Sequence, residues 1–335
     1  GSILQDRRTL RGGRDMRRDH RRSIVGVHLA LILLLLGAQF VVPPFHRTMV
    51  TRIMILTTYT MGYNLLLGYT GLMSLGHAMF FASGMYTTGL TVFYLGFGAP
   101  AALVAGLLAS VLMSTLTGLI TLRTTGASFL VITMMFSQAF HLATLYFNKF
   151  TMGDQGFILS GRLRPLRLGT VELAFSDPVF KYNLALVLFA LFLMMSVWLI
   201  GSPIGRILVG VRENEERTRL LGYNTFNYKL LSLIISGSLS GVAGSVYALT
   251  FSYVGSSFAS IIYSIYPLLW TLLGGAGTTI GPFVGTAVMA FVVDIASGLT
   301  SSYLFAVGAV LIILILWFPS GVIGGIRSRW VRWLP

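Results

Sequence analysis

Apolar runs close to 20 residues long follow one another from residue 24 to residue 318. About 20 apolar residues in helical form cross the hydrocarbon of a bilayer. A helix also pairs its backbone groups within its own segment, as hydrocarbon demands. Ten spans are read from the runs and their breaks: about 24–42, 49–67, 72–95, 99–121, 125–147, 182–200, 230–251, 259–274, 283–298 and 301–318. Pro43-Pro44 closes the first, and the Gly-rich turn "LGGAGTTIGP" separates the eighth from the ninth. Composition agrees: 55% of residues are hydrophobic and 10% charged, with mean hydropathy +0.80, against about 25% charged in soluble domains. The expected fold is an all-α polytopic membrane protein of about 10 transmembrane helices.

The net charge of +14 is unevenly placed. An Arg-rich tail, "QDRRTLRGGRDMRRDHRR" within residues 1–23, stands directly before the first run. It has no aromatic interleaving, so a cytoplasmic tail near anionic lipid is favoured over nucleic-acid binding. The run behind it is too long, and its flank lacks the small-residue site, for a cleaved signal peptide. With this tail inside, Arg123, the basic residues of 202–229 and Arg327, Arg329 and Arg332 of the 327–335 tail fall inside too. The 148–181 loop lies outside. The expected topology is N-in, C-in, around a membrane domain of residues 24–326.

One polar island interrupts the apolar sequence: "RENEERTRLLGYNTFNYK", residues 212–229, with seven charges in eighteen residues. Ser202-Pro203 offers an N-cap and a first-turn Pro. Arg212–Glu216, Glu213–Arg217 and Glu215–Arg219 have the spacing of i,i+4 ion pairs on the helix that follows. Gly222 suits its C-terminus, and Asn224-Thr225 can cap the next helix. Two short helices on the cytoplasmic surface are expected. They are either a solvated loop or a docking surface; Leu220, Leu221, Tyr223 and Phe226 among the charges favour docking.

Three stretches in this order resemble the LivM-type permease of branched-chain amino-acid ABC importers: "NLLLGYTGLMSLGHAMFFASGMYTTGL" (64–90), "GVRENEERTRLLGYNTFNYKLLSLIISGSLSGVAGSVYAL" (210–249) and "LLGGAGTTIGPFVGTAVM" (272–289). The second is similar to that family's coupling loop and following helix. The resemblance implies a non-catalytic subunit of the bacterial inner membrane, and a path for branched-chain amino acids, urea, short amides or aromatic acids. It implies a second LivH-like permease, two cytoplasmic ATPases and a periplasmic solute-binding protein as partners. ATPase-coupling contacts would be Arg212, Glu213, Asn214, Glu215, Arg217, Leu220 and Gly222. The outer segment "FTMGDQGFILSGRL" keeps the family's Gly and acid and lacks its nearby Pro.

Ionisable residues within spans are expensive in lipid and serve as functional hypotheses. His77 lies in the first signature, after the Gly-flanked break "LLGYTG", with Asn64, Thr70 and Ser74 near it. It either lines the solute path or makes an interhelical hydrogen bond. His141 reads as structural or near the outer interface, and Asp294, near the outer end of its span, as reaching the headgroup region or pairing with a neighbour rather than serving transport. Gly237, Gly241 and Gly244, spaced four and three apart, let helix backbones approach closely.

No cofactor and no metal site is expected: Cys is absent, which excludes thiolate ligands, a Cys nucleophile and disulfides. No GxxxxGK[ST], HExxH or GxSxG occurs, which argues against ATP hydrolysis or other catalysis by this chain. The rival readings are an ion-coupled secondary transporter, with His77 and Asp294 relaying protons, and a passive channel.

Overall fold

A computed structural model describes residues 23–168, 171–299, 302, 305, 308–309, 312–313, 316–317 and 320–329. The Arg-rich tail up to residue 22, most of the tenth expected span and residues 330–335 lie outside the described residues. Two helices lead in, α1 (Ser23–Val41) and α2 (Pro44–Asn64), the latter continued by a π-helical turn at Leu65–Tyr69. Next come α3 (His77–Leu95), α4 (Ala99–Thr121), α5 (Gly126–Tyr146) and the single turn α6 (Asn148–Thr151). After α7 (Pro178–Gly201) stand the short α8 (Pro203–Glu213) and α9 (Glu215–Leu220). The chain then forms α10 (Thr225–Phe251), α11 (Ile261–Gly274), α12 (Gly281–Leu299) and α13 (Val322–Arg329).

The molecule is an all-α polytopic membrane protein. Among the described residues, six helices (α1, α4, α5, α7, α10 and α12) are long and apolar enough to cross a membrane on their own. α2 and α3 are long enough yet outside that set, because they are the centre of the bundle. From Ile53 to Asn64 every residue of α2 is buried, as is α3 from His77 to Tyr86. A helix screened from lipid by its neighbours can carry Thr, Tyr, Ser, Asn and His. α10 packs along α2, α3 and α4, and α7, α11 and α12 also pack on α2.

Between helices lipid supplies no hydrophobic drive, so close packing and hydrogen bonds take over. On α10, a Cβ at Gly237 would come 2.5 Å from Ser114 Cβ of α4. One at Gly241 would collide with Ser110 of α4, and one at Gly244 with the Phe81 carbonyl of α3. The three glycines face the α3–α4 pair.

Two sequence expectations are corrected, and two segments gain detail. The third span starts at His77 rather than 72, since Gly71 turns the chain at φ +77° and residues 71–76 run without helix. That irregular backbone survives because protein groups satisfy it: Tyr63 OH donates to Ser74 O at 2.9 Å and Leu75 N–H to Thr133 Oγ1 at 3.2 Å. The island's first helix breaks at Asn214, so Arg212–Glu216 and Glu213–Arg217 do not share one helix. The 148–181 segment is partly ordered structure: β1 (Phe157–Ile158), the hairpin β2 (Leu166–Leu168) with β3 (Val171–Leu173), and the first turn of α7. β1 pairs antiparallel with β4 (Tyr253–Val254), just after α10. Arg327 and Arg329 of the expected 327–335 tail lie in α13.

Candidate functional site

Asn64, Thr70, Ser74 and His77 are brought together around the break between α2 and α3, and all four are buried. Asn64, the last residue of α2, reaches the α11–α12 turn. Its Nδ2 donates to Thr278 O and its Oδ1 accepts from Gly277 N–H, both at 2.9 Å. Thr70 Oγ1 meets Ser232 Oγ of α10 at 2.6 Å and donates to Leu65 O at 3.1 Å. Ser74 Oγ accepts from Gly76 N–H at 3.1 Å.

His77 opens α3. Its Nε2 lies 2.7 Å from Ser236 Oγ, and Ser236 Oγ donates its one proton to Gly62 O at 2.5 Å. A hydroxyl with its proton committed can only accept, so Nε2 carries the hydrogen. Nδ1 is then a bare lone pair, and it has no partner among the described residues. Tyr63 and Phe80 meet the ring edge-on at 4.6 and 5.5 Å between centroids. Beside it, Ala78 N–H, free of any helical partner at the start of α3, donates to Ser264 Oγ of α11 at 2.9 Å. Higher in α2, Thr60 Oγ1 bonds Thr286 Oγ1 of α12 at 3.0 Å. The result is a seam of hydroxyl, amide and imidazole groups among α2, α3, α10, α11 and α12.

The island is built from local signals. Ser202 Oγ caps α8 through Gly205 N–H at 3.3 Å; Asn214 Oδ1 caps α9 through Arg217 N–H at 2.8 Å; Asn224 Oδ1 caps α10 through Asn227 N–H at 3.3 Å. Gly222 takes the left-handed φ of +91° that ends α9. The charges then divide by direction. Glu213 and Arg217 are exposed, and Leu220 is 85% and Leu221 72% exposed. Glu215 is half-buried, and Arg212, although exposed, reaches the π turn with its guanidinium.

Glu215 Oε1 sits 2.8 Å from Lys229 Nζ of α10, whose side chain is only 6% exposed, and 3.5 Å from Arg219 Nη2. Thr225 Oγ1 donates to the same oxygen at 3.0 Å. Partial burial pushes the Glu215 carboxyl up; the hydrogen bonds from Lys229 and Thr225, with the charges of Lys229 and Arg219, outweigh it and hold the pKa below its ordinary value. Arg212 Nη1 donates to Gly68 O, in the π turn. An island of wholly outward-facing ion pairs is therefore wrong for Glu215, and Arg212 holds a backbone carbonyl of the π turn.

The other singled-out residues lie apart. His141 Nδ1 is 3.1 Å from Ser256 O, away from the seam, and Asp294 is exposed on α12. A cavity of about 360 Å³ opens between α3, α4 and α5, lined by residues such as Tyr86, Leu112 and Thr144. It is mostly apolar and touches none of the four clustered residues. Among the described residues no three His, Asp or Glu lie together to hold a metal ion. Sequence reasoning missed Lys229, Ser236 and Thr278. Lys229 had a weak signal, a cation at the first turn of an apolar helix. The other two are a Ser and a Thr among many, with partners far off in the chain.

A family model described as branched-chain amino acid transport system / permease component matches residues 47–317. The high-affinity branched-chain amino acid transport system permease protein LivM of Salmonella typhimurium is 26% identical over 322 residues, covering 90% of this chain and 75% of the relative. The LivM of Escherichia coli K12 is 26% identical over 325 residues, with the same coverage. A probable LivM of Methanocaldococcus jannaschii is 30% identical over 103 residues, 30% of each chain. No solved structure gives a significant match.

Proposed function

Because the chain belongs to the family of permease components of branched-chain amino acid transport systems, we propose that it forms a translocation path for branched-chain amino acids or a related small polar solute across the bacterial inner membrane. Such a component is by kind not an enzyme. ATP is hydrolysed by two partner ATPases in the cytoplasm, a periplasmic binding protein delivers the solute, and a second LivH-like permease completes the membrane unit. The chain crosses the bilayer ten times, with both termini and the α8–α9 island inside.

The path follows the seam at His77, Asn64, Thr70 and Ser74. Broken helices that bury unwound backbone near the membrane midplane are a common way to build solute sites. The coupling surface is the outer face of α9 with Glu213, Asn214, Arg217, Leu220 and Gly222. One observation carries this reading: Leu220 and Leu221, the most exposed apolar pair of the island, stand on a short helix whose inward side chains tie it to the bundle. Exposed apolar side chains on a held platform fit a partner's cleft, and contacts at the centre of such a surface dominate docking.

The test replaces Leu220 and Leu221 together by Asp. Neither side chain supports the core, so insertion and folding should be unchanged, while pull-down of the ATPases from the same membranes and ATP-driven uptake should both be lost. Wild-type pull-down and uptake in that variant would make the island an ordinary solvated loop.

A further inference from the structure

Two breaks in the α-helices meet beneath the seam: the π turn and irregular stretch after α2, residues 65–76, and the glycine turn 275–280 between α11 and α12. They are held together from both sides. From within, Asn64 grips Thr278 O and Gly277 N–H. From below, Arg212 in the last turn of α8 donates to Gly68 O. Its stem covers Gly71, where a Cβ would lie 3.0 Å from Arg212 Cγ, and its Nη1 is 3.0 Å from where a Cβ at Gly277 would stand. The glycines let one guanidinium approach both backbones. α1 joins through His28 Nε2, 2.7 Å from Thr279 Oγ1.

We propose that Arg212 is the latch of the cytoplasmic mouth, resting on the coupling role given to α8–α9 above. With the guanidinium on Gly68, the π turn and the glycine turn stay shut over Asn64. When a docked ATPase displaces α8, the guanidinium leaves and the two segments part. The chemistry suits the task. A charged donor on a carbonyl is stronger than a neutral one, and the planar fork holds its direction where a Lys ammonium would not. The strength is moderate, so a modest displacement releases it.

The absence of Cys allows a direct test. Ser74, buried in the same break that holds Gly71, is replaced by Cys in otherwise wild-type protein and in Arg212→Ala, each in inside-out vesicles without ATPases. A membrane-impermeant maleimide then reads opening of the mouth. Losing one charge-assisted hydrogen bond should raise the labelling rate roughly tenfold or more. In the assembled complex Arg212→Ala should keep the ATPases bound and hydrolysing while uptake per ATP falls. Arg212→Gln, with the donor kept and the charge gone, should lie between, and it replaces Arg212→Ala if that variant does not insert. Equal labelling in the variant and its parent overturns the latch, as does loss of ATPase binding on Arg212→Ala, which would make Arg212 a partner contact. Failure of the wild-type chain to bind any ATPase would instead overturn the coupling role, and the labelling comparison still stands by itself.

Discussion

His77 uses one of its two ring nitrogens: Nε2–H reaches Ser236, and the Nδ1 lone pair is left over. The two ends can be separated by substitution. Gln places its amide donor near where Nε2 sits, while Ala leaves the Ser236 oxygen without its donor. If the residue acts only by bracing α3 to α10, His77→Gln should keep near-wild-type uptake and thermal stability, with His77→Ala costing about 1–3 kcal/mol. If Nδ1 also meets solute, His77→Gln should remain stable and still lose uptake, which is the outcome expected from a seam residue of the path. Reconstituted uptake and thermal unfolding, measured side by side, decide it. His77 was legible as a candidate because an ionisable group in an apolar run stands out. Its partner was not, since Ser236 lies 159 residues away and resembles every other Ser of α10.

Element boundaries were readable wherever the signal was local. Ser202, Asn224 and Gly222 cap or end helices as their neighbours in sequence suggest, because each needs only backbone groups within three residues. Asn214 is the exception that redirects the island. By capping α9 it ends the continuous helix on which three ion pairs had been placed, and it swings Glu215 toward Lys229. A buried ammonium needs its partner, so the pair ties α9 to α10. Glu215→Gln should therefore lower stability by about 1–3 kcal/mol, while Glu213→Gln, at an exposed position, should change it by less than about 0.5 kcal/mol. The pH dependence has a definite sign. A carboxyl held below its ordinary pKa in the folded state contributes fully above the ordinary carboxylate range. That contribution is lost as pH falls through the lowered folded value. Acid melts should show this loss in the wild type and not in Glu215→Gln.

At the scale of the molecule, the apolar runs were enough for an all-α bundle, because length and hydropathy decide what crosses a bilayer. Which helices sit at the centre was hidden in those same runs. α2 and α3 look weaker as spans for the reason that they are interior, and the break at 71–76 depends on contacts from Tyr63 and Thr133 rather than on its own composition. The longest interior helix, α10, has 27 residues and a length of about 40 Å. One end is bonded to α9 through Lys229 and Glu215; the other runs through Ser252 into β4, which is laced to β1 of the 148–181 segment. Midway, Gly237, Gly241 and Gly244 press its backbone against α3 and α4. Ile158→Pro, in β1 and with its side chain exposed, should weaken the far attachment. ATP turnover per solute should change in that variant although it lies a membrane's width from α9; an unaltered ratio would mean that the two ends move independently. Tied at both tips and packed closely along its middle, α10 is a single strut between α9 and the β1–β4 pair; if it tilts as one body about Gly241, its Lys229 tip and its Phe251 tip must travel in opposite directions.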